Sequence, residues 1–103
     1  MRFLLKATLD TERASATIKD GSLGRRMESI MAALKPEAAY FAAIDGQRTP
    51  LLIIDIQDVS ELPSIAERFW LNFGGKVDLY PVMTGEDLAK GLGSLEGVVK
   101  ESA

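Results

Sequence analysis

The segment Pro50–Gln57, PLLIIDIQ, constrains the fold more than any other stretch of the chain. Strand side chains alternate between the two faces of a sheet. Here both alternating sets are apolar, so a sheet built on this strand has little to leave in water on either side. Asp55 interrupts the run. Aspartate is disfavoured inside strands, and even a neutral polar group buried without a partner costs roughly 2 kcal/mol or more. Asp55 must therefore face water or be paired.

The periodicity of the remaining segments supplies the other elements. Arg2–Leu9 alternates as a strand, with Phe3, Leu5, Ala7 and Leu9 on one side and Arg2, Leu4, Lys6 and Thr8 on the other. The stretch TERASATIKDG is polar and only weakly helical. After it, Ser22 precedes Leu23, Met27, Ile30, Met31 and Leu34, the spacing of a helix over 22–35 that stops at Pro36. Ala38–Ile44 and Pro50–Gln57 flank DGQRT, where Asp45 and Gly46 supply the turn of a hairpin with a somewhat long loop. Ser60 caps a helix that carries Leu62, Ile65, Ala66 and Phe69 on one face and tolerates Pro63 in its first turn. The glycines of FGG end it before a strand over Lys76–Val82. Thr84 and Asp87 open a short terminal helix weakened by Gly91, Gly93 and Gly97.

The order is β-α-β-β-α-β, which predicts an α+β, ferredoxin-like single domain over residues 1–103. Short connections and right-handed crossovers favour a four-stranded antiparallel sheet, with both helices on one face and the first and third strands in the centre. With Leu5, Ile54 and Leu79 under the helices, Leu4, Lys6, Leu51, Ile53, Asp55, Tyr80 and Val82 occupy the other face. A surface so apolar predicts a partner, and a homodimer packed sheet to sheet is the expectation.

Composition narrows the chemistry. The 103 residues include no cysteine and no histidine, which excludes triad hydrolases and the usual zinc sites. No metal and no cofactor are expected, since the close acidic pair Glu86 and Asp87 is explained by helix capping. A net charge of −3 and a pI near 4.9 argue against nucleic acid as a partner. Arg25 and Arg26 read as a solvated helix face. The loop NFGGKVDL leaves a helix and enters a strand, opposite in polarity to a phosphate cradle. Lys6 and Asp10 interrupt the first apolar run, and no stretch approaches the roughly 18 apolar residues of a membrane span, so a cytoplasmic protein without membrane partners is expected.

The candidate ligand-binding residues are Lys6, Asp55, Tyr80, Tyr40 and Trp70. On antiparallel neighbours Lys6 and Asp55 are expected to lie opposite or diagonal and to form an ion pair, with the two tyrosine hydroxyls able to join it. Phe69 fits the core stripe of its helix, leaving Trp70 for a pocket rim or a subunit contact. The pair can equally serve only to fix sheet register or dimer orientation.

The segments MRFLLKATLD, LKPEAAYFAAIDGQRTPLLIIDIQD and LYPVMTGEDLAK resemble the dimeric α+β barrel superfamily, above all its small uncharacterised bacterial members. The superfamily includes muconolactone-isomerase-like proteins and cofactor-free monooxygenases. The resemblance implies a homodimer that binds a small molecule at the open sheet face, with isomerase or monooxygenase chemistry, or a purely structural dimer, as the alternatives. Members often use histidine in their pockets. This chain has none, so no catalytic residue carries over.

Overall fold

The computed structural model describes residues 1–103. Strand β1 (Arg2–Thr8) leads into helices α1 (Thr11–Lys19) and α2 (Leu23–Leu34), then strands β2 (Ala38–Ile44) and β3 (Gln47–Asp55). Helix α3 (Leu62–Phe73), strand β4 (Lys76–Pro81) and helices α4 (Gly85–Leu92) and α5 (Leu95–Glu101) complete the chain. The strands form one antiparallel sheet in the order β2-β3-β1-β4. β1 and β3 are thus central, as the ferredoxin-like pattern predicts, and the fold is α+β.

Three local structures differ from the sequence reading. The chain enters α3 through a short turn over Val59–Glu61 whose cap is Asp58, accepting the Ser60 N–H at 2.8 Å, and not Ser60. The weakly helical stretch after β1 is a full helix, α1. The Asp10 carboxylate accepts the Arg13 N–H at 3.0 Å, and Ala14 and Thr17 are buried. The Arg13 guanidinium donates to the carbonyls of Trp70 and Leu71, both at 3.1 Å, at the end of α3. Capping and tertiary contacts thus override a modest intrinsic propensity. The hairpin loop is also shorter than expected. Asp45 (φ 52°) and Gly46 (φ 76°) both adopt the left-handed conformation of a tight two-residue turn, so β3 begins at Gln47.

The core lies between the sheet and helices α1 to α3. Leu5, Leu52, Phe69 and Phe73 are fully enclosed, and Leu9, Ile30, Ile54 and Ile65 are nearly so. Behind α3 the chain must turn hard against β1. Gly75 does this at φ 86°, where a Cβ would stand 2.0 Å from the carbonyl oxygen of Thr8.

The other face carries no helix of the α1 to α3 layer. The register sets its side chains in rows: Ala38, Ile53, Leu4 and Tyr80 in one, and Tyr40, Leu51, Lys6 and Asp78 in the next. Helices α4 and α5 extend away as an arm, giving the molecule a length of 60 Å and a radius of gyration of 17.3 Å. A compact domain of this size has a radius near 13 Å. Leu88, Leu92, Leu95, Val98 and Val99 are exposed along the arm. No helix is long and apolar enough to cross a membrane.

Candidate functional site

The register separates the residues expected to form one site. Asp55 stands opposite Arg2, and Lys6 stands between Leu51 on β3 and Asp78 on β4. Along β3, Asp55 lies four residue steps, about 13 Å, from Leu51, the residue that faces Lys6. The expected Lys6–Asp55 ion pair is therefore absent. Both residues lie on the open face, as alternation requires, but alternation leaves the slide of one strand along the other undetermined.

Asp55 resolves its own polarity differently. Its carboxylate accepts from the amino group of Met1 at 2.7 Å and from the Gln57 side-chain amide. The ionic hydrogen bond from the amine, reinforced by the charge of Arg2, holds its pKa below the ordinary carboxylate value. The side chain is 51% exposed, at the end of the strand rather than in its buried middle. Beside it Arg2 donates through Nε to both carboxylate oxygens of Glu37, at 2.9 and 3.1 Å, and this contact raises the Arg2 pKa. Arg2, Glu37, Asp55, Val82, Met83 and Asp87 border a polar cleft of about 490 Å³ where the open face meets the base of the arm. Asp87 is itself committed to the α4 capping box, exchanging hydrogen bonds with Thr84 at 3.1 Å.

Tyr40 and Tyr80 lie on the open face but on the two opposite edge strands, three strand spacings or about 14 Å apart. Trp70 is on the other side of the sheet, following the buried Phe69 on α3, and its side chain remains partly exposed. The five candidate residues do not converge.

A second concavity, missed in the sequence, lies on the helix side at the β2 edge. Strand β2 reaches beyond the helical layer, so Phe41 keeps 59% of its surface exposed although it shares the parity of the core residue Leu52. Leu9, Ile18, Leu23, Met27, Phe41 and Pro50 provide most of the wall of a cleft of about 460 Å³. The joint between α1 and α2 forms one side, with Gly21 at φ 78° reversing the chain between Ile18 and Leu23. Arg48 is the sole ionisable side chain in the wall. Its Nη1 donates to Ser15 Oγ at 3.2 Å. Thr49, although adjacent, turns its hydroxyl back to the Gln47 carbonyl at 3.0 Å. The sequence signal was present in Phe41 and Arg48 two sides of one tight hairpin, but it required the correct loop length to read.

The remaining conspicuous features are structural. Arg26 donates to Ser22 Oγ and Asn72 Oδ1, both at 2.9 Å, tying α2 to α3. Gly74 ends α3 with its N–H donating to the Trp70 carbonyl at 2.9 Å.

No family model matches the chain, and no curated protein matches it by sequence. Among solved structures, the chain is similar to 5-chloro-2-hydroxyhydroquinone dehydrochlorinase (TftG) from Burkholderia phenoliruptrix AC1100, solved in complex with 2,5-dihydroxybenzoquinone. The TM-score is 0.62 at 14% identity, over 84% of this chain and 97% of that one. At that identity the likeness is one of fold, and it agrees with the ferredoxin-like α+β architecture.

Proposed function

We propose that this chain is a small-molecule-binding protein that works as a homodimer. The open sheet face is the dimer surface and the helix-side cleft the ligand site. The observation that carries the binding reading is the cleft: about 460 Å³, walled mainly by aliphatic and aromatic side chains, with one cationic group at its margin. That size and lining are those of small-molecule sites generally. The solved neighbour of this fold also holds a small ring compound, in keeping with the reading. Placing the ligand here moves it from the open face, where the expected residues stand too far apart to enclose it.

Binding is favoured over turnover because the cleft wall offers no carboxylate or imidazole as a general acid or base. For assembly, the support is the partly exposed patch of Leu4, Leu51 and Ile53 on the two central strands, flanked by exposed Tyr40 and Tyr80 on the edge strands.

The test is titration of the neutral aromatic probe 2-naphthylmethanol by calorimetry, against the natural chain and an Ala43→Trp variant. Ala43 lies exposed on the edge strand in the cleft wall. An aromatic residue is compatible with a strand there and fills the cavity. The natural chain should bind the probe and the variant should not. Equal binding to both would remove the cleft as the site.

A further inference from the structure

We infer that the ligand of the helix-side cleft is an apolar carboxylate, anchored by Arg48; this rests on the cleft being the binding site. Three arginines of the chain are partly buried: Arg2, Arg26 and Arg48. Arg2 has its charge balanced by Glu37, both of whose oxygens accept from Nε, and Arg26 has two partners, Ser22 and Asn72, through Nε and Nη1. Arg48 has one hydroxyl partner, Ser15, and no carboxylate within ion-pair distance.

No side-chain nitrogen is buried without a partner, so the unpartnered Nε and Nη2 of Arg48 reach accessible space. The fold thus holds a guanidinium beside an apolar cavity with most of its donor fork unused. A guanidinium presents parallel N–H groups that match the two oxygens of a carboxylate, and such charge-assisted pairs are the strong ones. Ser15 on α1 accepts from one edge of the fork.

The charge selects among anions. One guanidinium balances one negative charge. A phosphate monoester would bring a second charge against Ile18, Met27 and Phe41, where it has no counterpart. A monocarboxylate with a flat or branched hydrocarbon body satisfies both parts of the site: its oxygens meet Arg48, and its body covers the exposed apolar wall. Phe41 and Ile18, 59% and 53% exposed, are the surfaces that such a body would shield.

The experiment compares 2-naphthoate with 2-naphthylmethanol, which share a ring system and differ in charge. By calorimetry at pH 7, the natural chain should bind the carboxylate about tenfold more tightly. Arg48→Gln should abolish that preference while the affinity for the alcohol stays within about twofold, and Arg48→Lys should retain part of it. Ala43→Trp should weaken both ligands. Equal affinity of the natural chain for the two compounds, with both lost in Ala43→Trp, would overturn the carboxylate inference and leave the cleft as a binding site. An undiminished preference in Arg48→Gln would also overturn it. If neither compound binds the natural chain, the cleft reading falls as well. The comparison on the natural chain needs no variant to fold, and circular dichroism establishes the fold of each variant.

Discussion

Along β1 and β3, neighbouring residues of the same type meet opposite fates. Leu5 and Leu52 are fully enclosed and Ile54 is 2% exposed, while Leu4, Leu51 and Ile53, one step away, remain partly open. Hydrophobicity does not distinguish the two sets. Their difference comes from cover: one face lies under α1, α2 and α3, and the other has only what a second molecule can bring. Side chains on the covered face therefore determine whether the monomer folds. Those on the open face, in the proposed dimer, determine whether folded monomers stay apart.

The largest effect should come from emptying the covered face. Phe69 is fully buried at the centre of α3, among Leu5, Ile54 and Phe73. Replacing it with alanine deletes a large apolar volume that the packed surroundings cannot close, a loss of about 3–5 kcal/mol. Urea denaturation of the Phe69→Ala variant should show the drop directly. A loss of about 0.5 kcal/mol or less, the level of an ordinary surface change, would mean that the helices do not cover this face as described.

On the open face the same kind of insult should act on assembly. Ile53→Lys places a charge at the middle of the proposed dimer surface, next to Leu4 and Ala38. Sedimentation should show a dimer for the natural chain and a monomer for the variant, with far-ultraviolet circular dichroism unchanged. A folded natural monomer at micromolar concentration would defeat the dimer reading, and loss of helical signal in the variant would erase the distinction between the faces.

The same contrast explains what was legible in advance. The strand order and the central position of β1 and β3 followed from periodicity and the rules of chain connection. So did the division of Leu5 from Leu4, because alternation is a property of the strand alone. Helix α1 was legible only weakly, since it depends on Arg13 reaching carbonyls some sixty residues away. Register was not legible. Sliding a strand by two residues preserves every apolar face, so nothing in the pattern distinguished Asp55 opposite Lys6 from Asp55 opposite Arg2. The helix-side cleft escaped for a related reason: Phe41 has the parity of a core residue, and only the finite width of the helical layer leaves it open.

The arm sharpens the comparison from outside the sheet. Its apolar residues are exposed and it adds little to the covered core, whose members all precede Pro81. A chain ending at Met83 should keep the backbone bond from the Val82 N–H to the Arg2 carbonyl, 3.1 Å long. In the Ile53→Lys background, where association is expected to be lost, its thermal midpoint should match that of the full-length variant. A clear fall would show that the arm stabilises the fold within one molecule.

The smallest effect concerns the aspartate at the margin of the open face. The Asp55 pKa is depressed chiefly by its hydrogen bond to the Met1 amine. A carboxylate with a folded pKa below its unfolded value of about 3.9 contributes stability that is present above the unfolded pKa and lost as pH falls through the folded one. Asp55→Asn should therefore lower the thermal midpoint slightly near neutrality. The difference from the natural chain should begin to shrink as pH falls past the unfolded value of about 3.9 and close only below the depressed folded pKa, where the natural aspartate also becomes neutral. It should shrink with added salt, since the group is half exposed and screened. Carbon-detected titration of the carboxylate separates the possible partners. Acetylating the Met1 amine should raise the Asp55 pKa toward its ordinary value, whereas Lys6→Met should leave it where it is, because the register holds Lys6 beside Asp78. An upward shift on Lys6→Met would reinstate the ion pair that the register denies, and with it a strand alignment that brings the charged residues of the open face together.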